Sequence, residues 1–238
     1  MHFIGWTTRD NLAPSLAPRE MCLAMSVEHT TFTWTGGTVS GIWNAPTQGN
    51  TYLLLGHGAG GTLQTPALAK FAETLASRGV GAVRFNFPYA EQRRKVPDRQ
   101  ATLEACYRDV ANHAAERASQ LFLGGRSMGG RIASHLVAAG YPAAGLVFLG
   151  YPLHPPGKPE RMRDAHLEAI AVPMLFLQGS RDAFARPDLL AQTVARLPRA
   201  TLHIVEGGDH SMTVRGRPVY DTITELVVAT ITWIESME

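Results

Sequence analysis

The stretch Leu121-Phe-Leu-Gly-Gly-Arg-Ser-Met-Gly-Gly-Arg131 decides how the rest of the chain is read. An apolar run, Leu121–Leu123, leads into Gly125-x-Ser127-x-Gly129, and an alanine-rich helical pattern, Met128–Ala139, follows at once. A serine on so sharp a strand-to-helix turn adopts strained backbone angles, and its hydroxyl stands clear of the sheet edge. Side chains two residues away on either side would crowd that turn, so glycine at 125 and 129 fits it. The helix begins at the same point, and its N-terminal N–H groups and dipole face any negative charge that develops at the serine. The competing reading is a glycine-rich turn that only packs closely. The motif alone does not separate the two; the sequence around it does.

Working outward, strand-like apolar runs lie at Tyr52–Leu55, Ala82–Phe87, Leu121–Leu123, Gly145–Leu149, Met174–Leu177 and Leu202–Val205. They alternate with helical stretches at Pro66–Ser77, Ala101–Ala118, Met128–Ala139, Pro187–Arg196 and Asp221–Trp233. Continuous apolar runs are expected of strands buried on both faces of a parallel sheet. Their alternation with helices implies right-handed crossovers and an α/β fold, a mostly parallel, doubly wound sheet. Ahead of that sheet, Phe32–Trp34 and Thr38–Trp43 flank Gly36-Gly37 and predict an N-terminal antiparallel hairpin. Between Leu149 and Met174 lies only the proline-rich segment Gly150–Pro173. No helical cap domain fits there, so an open site is expected.

Two further runs end in chemistry. Pro173–Leu177 leads to Gln178-Gly-Ser-Arg-Asp182, and Leu202–Val205 leads to Glu206-Gly-Gly-Asp-His210. Both side chains fall in loops at the carboxyl ends of strands, the edge where open α/β sheets bind ligands, and Ser127 lies at the same edge. A serine hydroxyl is a poor nucleophile near neutral pH and needs a base, a role that suits histidine with its ordinary pKa of about 6.5. A carboxylate then holds the imidazole tautomer and stabilises the imidazolium. Ser127, Asp182 and His210 are therefore the expected catalytic set; Asp209 and Glu206 are the rival acids, and Asp209 adjoins His210 in a way that aims its side chain elsewhere. His113, His135 and His203 fall within helix or strand patterns and read as structural.

Gly56-His-Gly-Ala-Gly-Gly61 directly follows the run Tyr52–Leu55. A serine elbow draws one oxyanion donor from the backbone N–H after the nucleophile, here Met128, and another from the loop after this earlier strand. Ala59, or failing it Gly60, is the expected second donor, with His57 shaping the loop. The loop lacks the lysine and serine or threonine of a P-loop, so phosphate cradling is not read from it.

Composition sets limits. The chain has 238 residues, 45% hydrophobic and 18% charged, which describes a globular protein with room for a large core. A net charge of +2 argues against nucleic acid or an anionic membrane as the main partner. No apolar run approaches the ~20 residues of a membrane span. Residues 1–25 lack the pattern of a secretory signal and read as a loose N-terminal extension, with Met21 and Met25 as alternative starts; residues 26–238 read as one domain. The two cysteines, Cys22 and Cys106, read as small apolar filler, and with no disulfide framework the cytoplasm is the expected compartment. No histidine pair at ligand spacing adjoins a carboxylate, so neither a metal nor a cofactor is expected.

Taken together, Gly56–Gly61, Arg84-Phe-Asn-Phe-Pro-Tyr89 with Arg93-Arg94 and Pro97-Asp98-Arg99, Gly124–Arg131, Gln178–Asp182 and Gly207–His210 resemble the α/β-hydrolase superfamily. Within it they are similar to the small dienelactone-hydrolase-like proteins that group with the testis-expressed hydrolase-like protein and an NSL-complex subunit. The resemblance implies an α/β-hydrolase fold and a Ser127–Asp182–His210 triad but supplies no substrate; the first functional reading is hydrolysis of a small ester or thioester through an acyl-serine, using no cofactor. Two other classes stay open at this point: a non-catalytic scaffold that binds a protein partner, and an acyltransferase. The stretch Arg84–Arg99 is rich in arginine, and Arg126 and Arg131 flank the nucleophile. A solvated basic face is the plainer reading; the sharper one gives Arg94 or Arg126 a carboxylate or phosphate of the substrate.

Overall fold

The computed structural model describes residues 26–237. The expected extension at residues 1–25, with Cys22, lies outside them. Among the described residues, one sheet contains eight strands: β1 (Val27–Trp34), β2 (Gly37–Asn44), β3 (Thr51–Gly56), β4 (Gly81–Phe85), β5 (Gln120–Arg126), β6 (Gly145–Leu149), β7 (Met174–Gly179) and β8 (Ala200–Val205). The spatial order is β1-β2-β4-β3-β5-β6-β7-β8. The β1–β2 hairpin pairs antiparallel, and β2 also runs antiparallel to β4. From β4 onward every pairing is parallel. The hairpin and the doubly wound sheet thus match the sequence reading.

Helices α1 (Pro66–Ala76), α2 (Pro88–Glu91), α3 (Gln100–Ala115), α4 (Met128–Ala138), α5 (Pro187–Ala195) and α6 (Val219–Glu235) connect the strands. Proline opens α1, α2 and α5, where its missing N–H costs nothing. Side chains of the central strands alternate between two cores. Leu53, Leu55, Val147, Leu149 and Leu175 pack under α1 and α6, while Leu54, Leu123, Phe148, Met174 and Phe176 pack under α3 and α4. Strands β6 and β7 are buried at every residue, which is why β6 and residues Met174–Leu177 of β7 are unbroken apolar runs; Gln178 is the buried polar exception.

Two strands differ from the sequence reading. Strand β4 stops at Phe85 instead of Phe87, because Pro88 starts the short helix α2 with Phe87 as its N-cap. Arg84 therefore belongs to a buried strand and is no part of a basic loop. Strand β8 is an edge: within it only Val205 is buried, because β8 has a sheet neighbour on one side alone. Between β6 and β7 the chain forms one 3₁₀ turn, Ala165–Ala169, and no cap domain. Cys106 is buried on α3 as a free thiol. No helix among the described residues is long and apolar enough to cross a membrane.

Candidate active site

Ser127 joins β5 to α4 with φ 50° and ψ −112°, a conformation that side-chain-bearing residues rarely adopt. Its N–H donates to the Leu149 carbonyl at 3.0 Å, which ties the turn to β6. The flanking glycines have a cause the sequence does not display. A Cβ at Gly125 would lie 2.2 Å from the Gly56 carbonyl oxygen, and one at Gly129 would lie 2.1 Å from the same atom. The end of β3 sits against both positions. Gly125 also has φ +145°, outside the range of other residues.

His210, in the loop between β8 and α6, receives the Ser127 hydroxyl at its Nε2, with Oγ 2.9 Å away. Its Nδ1–H donates to Asp182 Oδ2 at 2.7 Å. The Asp182 carboxylate is fully buried. Its Oδ1 accepts the Phe184 N–H at 2.7 Å, and its Oδ2 also accepts the Gln178 side-chain amide. Gln178 is held in turn, its Oε1 accepting the Tyr151 N–H at 2.8 Å. The Phe184 ring stacks on the imidazole with centroids 4.2 Å apart. One carboxylate thus collects three donors in a dry site, which keeps it aimed at Nδ1. Gln178 and Phe184 carry no signal in the sequence beyond their nearness to Asp182.

The rival acids are occupied. Asp209 Oδ1 accepts the N–H groups of Ser211 and Thr213 at 2.7 and 2.9 Å, which shapes the loop carrying His210. Glu206 accepts the Ser180 hydroxyl at 3.0 Å. A second serine–histidine contact exists, Ser134 Oγ to His166 Nε2 at 2.8 Å. Ser134 lies inside α4 and spends its proton on the Arg131 carbonyl at 2.7 Å, so it is not poised as a nucleophile. Burial, with positive neighbours behind it, lowers the pKa of His166 to about 4.

The loop Gly56–Gly61 passes beside Ser127: a Cβ at Gly58 would be 3.7 Å from the serine Cβ. Side chains and backbone of Arg84–Tyr89 hold this loop from below. Arg84 donates to the Leu63 carbonyl at 2.7 Å, and Asn86 Oδ1 accepts the Leu63 N–H at 2.9 Å. His57 is fully buried; its Nε2 accepts the Phe87 N–H at 3.1 Å and its Nδ1 faces the Gly58 carbonyl at 2.9 Å. Burial lowers the pKa of His57 to about 4, so it stays neutral and serves as a fixed strut. The Tyr89 hydroxyl accepts the Gly60 N–H at 3.2 Å and donates to the Gly58 carbonyl at 3.3 Å. Gly60 is thereby engaged. The N–H groups of Ala59 and of Met128, the first residue of α4, have no such partner among the described residues.

Arg126 points between the two loops. It donates to Ser211 Oγ at 2.8 Å and lies 3.5 Å from the His210 carbonyl, with no carboxylate paired to it among the described residues. Burial pulls its pKa down, against the nearby charges of Asp182 and Asp209. Arg94, by contrast, is already neutralised by Asp98 at 2.6 Å. No group of three or more His, Cys, Asp or Glu among the described residues is placed to hold a metal ion.

Comparison with known proteins agrees with this architecture. The family described as alpha/beta hydrolase domain matches residues 49–235. A dienelactone hydrolase from Anabaena variabilis is 15% identical at a TM-score of 0.70, covering 89% of this chain and 98% of its own. A lid-less α/β serine hydrolase from Xanthomonas campestris is 20% identical at 0.68, with 87% and 94% covered. An esterase from Pyrococcus furiosus is 14% identical at 0.73, with 94% and 96% covered. At these identities the likeness is one of fold.

Proposed function

The chain belongs to the α/β-hydrolase family, and within it we propose a serine hydrolase that cleaves a carboxylic ester or thioester. The observation that carries this reading is the unbroken chain from Ser127 Oγ through both nitrogens of His210 to the buried Asp182 carboxylate. In the proposed reaction, Ser127 Oγ attacks the carbonyl carbon while its proton passes to His210 Nε2. The oxyanion is met by the N–H groups of Ala59 and Met128 and by the positive end of α4. As the acyl–oxygen or acyl–sulfur bond breaks, His210 returns the proton to the leaving group. Water, deprotonated by the same imidazole, then releases the acid and restores the serine. Asp182 holds Nδ1–H throughout and stabilises the imidazolium. No cofactor enters the scheme.

Arg126 is the side chain we assign to a substrate anion, because it is part-buried and pairs with no carboxylate among the described residues. The grouping with small dienelactone-hydrolase-like proteins belongs to the same proposal and supplies no substrate. Labelling by a fluorophosphonate probe tests the reading. The wild-type chain is expected to label and to hydrolyse simple esters, and Ser127→Ala to lose both with its fold intact. Full labelling of the alanine variant would overturn the assignment.

A further inference from the structure

A cavity of about 240 Å³ lies on the α1/α6 side of the sheet, under the loop that carries His210. Its wall is mostly hydrocarbon, with Leu68 and Phe71 from α1, Leu149 from β6, Met212 from the histidine loop, and Ile223 and Leu226 from α6. His210 and Arg126, the residue before Ser127, border it. The volume exceeds the roughly 150 Å³ that accommodates a benzene ring in an engineered apolar cavity. It suits one ring or a chain of several carbons.

Its position relative to the reacting atoms gives it a side. His210 protonates the leaving oxygen, so the leaving group departs on the imidazole side of the scissile bond. The Ala59 and Met128 N–H groups, assigned to the oxyanion, come from the other loop and from the start of α4. Resting on the serine-hydrolase reading above, we propose that this cavity is the leaving-group subsite and takes an apolar alcohol of one-ring or about six-carbon size. In that step the carbonyl carbon–oxygen bond breaks, the acyl group stays on Ser127 Oγ, and His210 hands its proton to the alcohol oxygen. The freed alcohol is then the ligand that fits the cavity.

Two ester series with the full chain separate the alcohol side from the acyl side. Ethanol, butanol and hexanol are nearly equal leaving groups, so acetates of the three differ in the hydrocarbon they bury. Each buried methylene favours binding by about fourfold. Hexyl acetate is expected to exceed ethyl acetate in kcat/KM by at least about tenfold, while ethyl hexanoate stays within about threefold of ethyl acetate. Ala67→Trp places a ring in the cavity from α1 and is expected to collapse the hexyl-to-ethyl ratio below about twofold. Val219→Trp, at a more exposed lining position, does the same should the first variant not fold. Calorimetry with 1-hexanol reads the cavity without chemistry: wild type binds it and the filled variants do not. A rise confined to the acid series, or an unchanged ratio in a folded filled variant, overturns the assignment. Hydrolysis of ethyl acetate without hexanol binding would condemn the subsite alone; hexanol binding in a chain that neither labels nor hydrolyses would condemn the hydrolase reading alone.

Discussion

The Tyr89 hydroxyl accepts the Gly60 N–H at 3.2 Å, and in the proposed mechanism this leaves the Ala59 N–H for the oxyanion. Two adjacent N–H groups, Ala59 and Gly60, follow the same strand, and only the second is bound by a side chain. The same hydroxyl donates to the Gly58 carbonyl at 3.3 Å, so both neighbours of Ala59 are fixed by one phenol. Burial pushes the Tyr89 pKa up to about 12, which keeps that proton in place across the working range.

Tyr89→Phe is therefore expected to lower kcat by about tenfold with little change in KM. That is less than the loss of about 10²–10³ from removing an oxyanion donor outright, because the Ala59 N–H remains but is no longer held in place. Ring packing against His57 survives in phenylalanine, so the melting temperature should move little. Steady-state kinetics on one neutral ester measure the split. A rise in KM at constant kcat would mean that Tyr89 acts on substrate binding and not on the oxyanion loop.

The elements that the sequence displays best are those whose pattern is local. Strand β6 and the run Met174–Leu177 of β7 are apolar because both faces are covered, and that is visible without any tertiary information. The Ser127 turn is legible for a similar reason, although the clash that requires its glycines is with Gly56, a residue far away in sequence. His210 and Asp182 could be placed because each lies in the loop that follows a strand, at the same sheet edge. What stayed hidden depends on hydrogen bonds that follow no period. Gln178 and Phe184 support the carboxylate from within the same turn, and Arg84, Asn86 and Tyr89 support the Gly56–Leu63 loop from far away in sequence, across the β3–β4 pairing. No periodicity encodes such contacts. The edge position of β8 was hidden too, since an apolar run does not reveal that a strand lacks a neighbour on one side.

The buried His57 makes stability depend on pH with a definite sign. Its pKa falls from the ordinary 6.5 to about 4 in the fold, chiefly through burial, with the Gly58 carbonyl opposing. Between those values the unfolded chain binds a proton that the folded chain refuses, so stability falls as pH drops from about 6.5 to about 4 and levels off below. One such group contributes on the order of 3 kcal/mol over that window. Urea unfolding at a series of pH values should show this loss, and His57→Gln should remove its share of the slope. Parallel stability curves for the two proteins from pH 6.5 to 4 would show that His57 takes no part.

Arg94 and Arg126 are the two residues that the sharper sequence reading offers to an anionic substrate, and their partners now separate them. Asp98 already neutralises Arg94 at 2.6 Å, so a substrate carboxylate would have to compete for it. Arg126 donates only to Ser211 Oγ and approaches the His210 carbonyl, and burial disfavours its charge. A part-buried cation without a carboxylate in direct contact gains more from an arriving anion than an exposed, directly paired one does. Arg126→Ala is thus expected to raise KM for an ester bearing a carboxylate by about tenfold more than for a neutral ester of equal size. Arg94→Ala should leave that ratio within about twofold of the wild-type value. Because Arg126 also braces the loop of His210, some loss of kcat on both esters accompanies its removal, and the KM ratio is the informative quantity. Equal KM effects of Arg126→Ala on the two esters would leave that side chain with the bracing role alone.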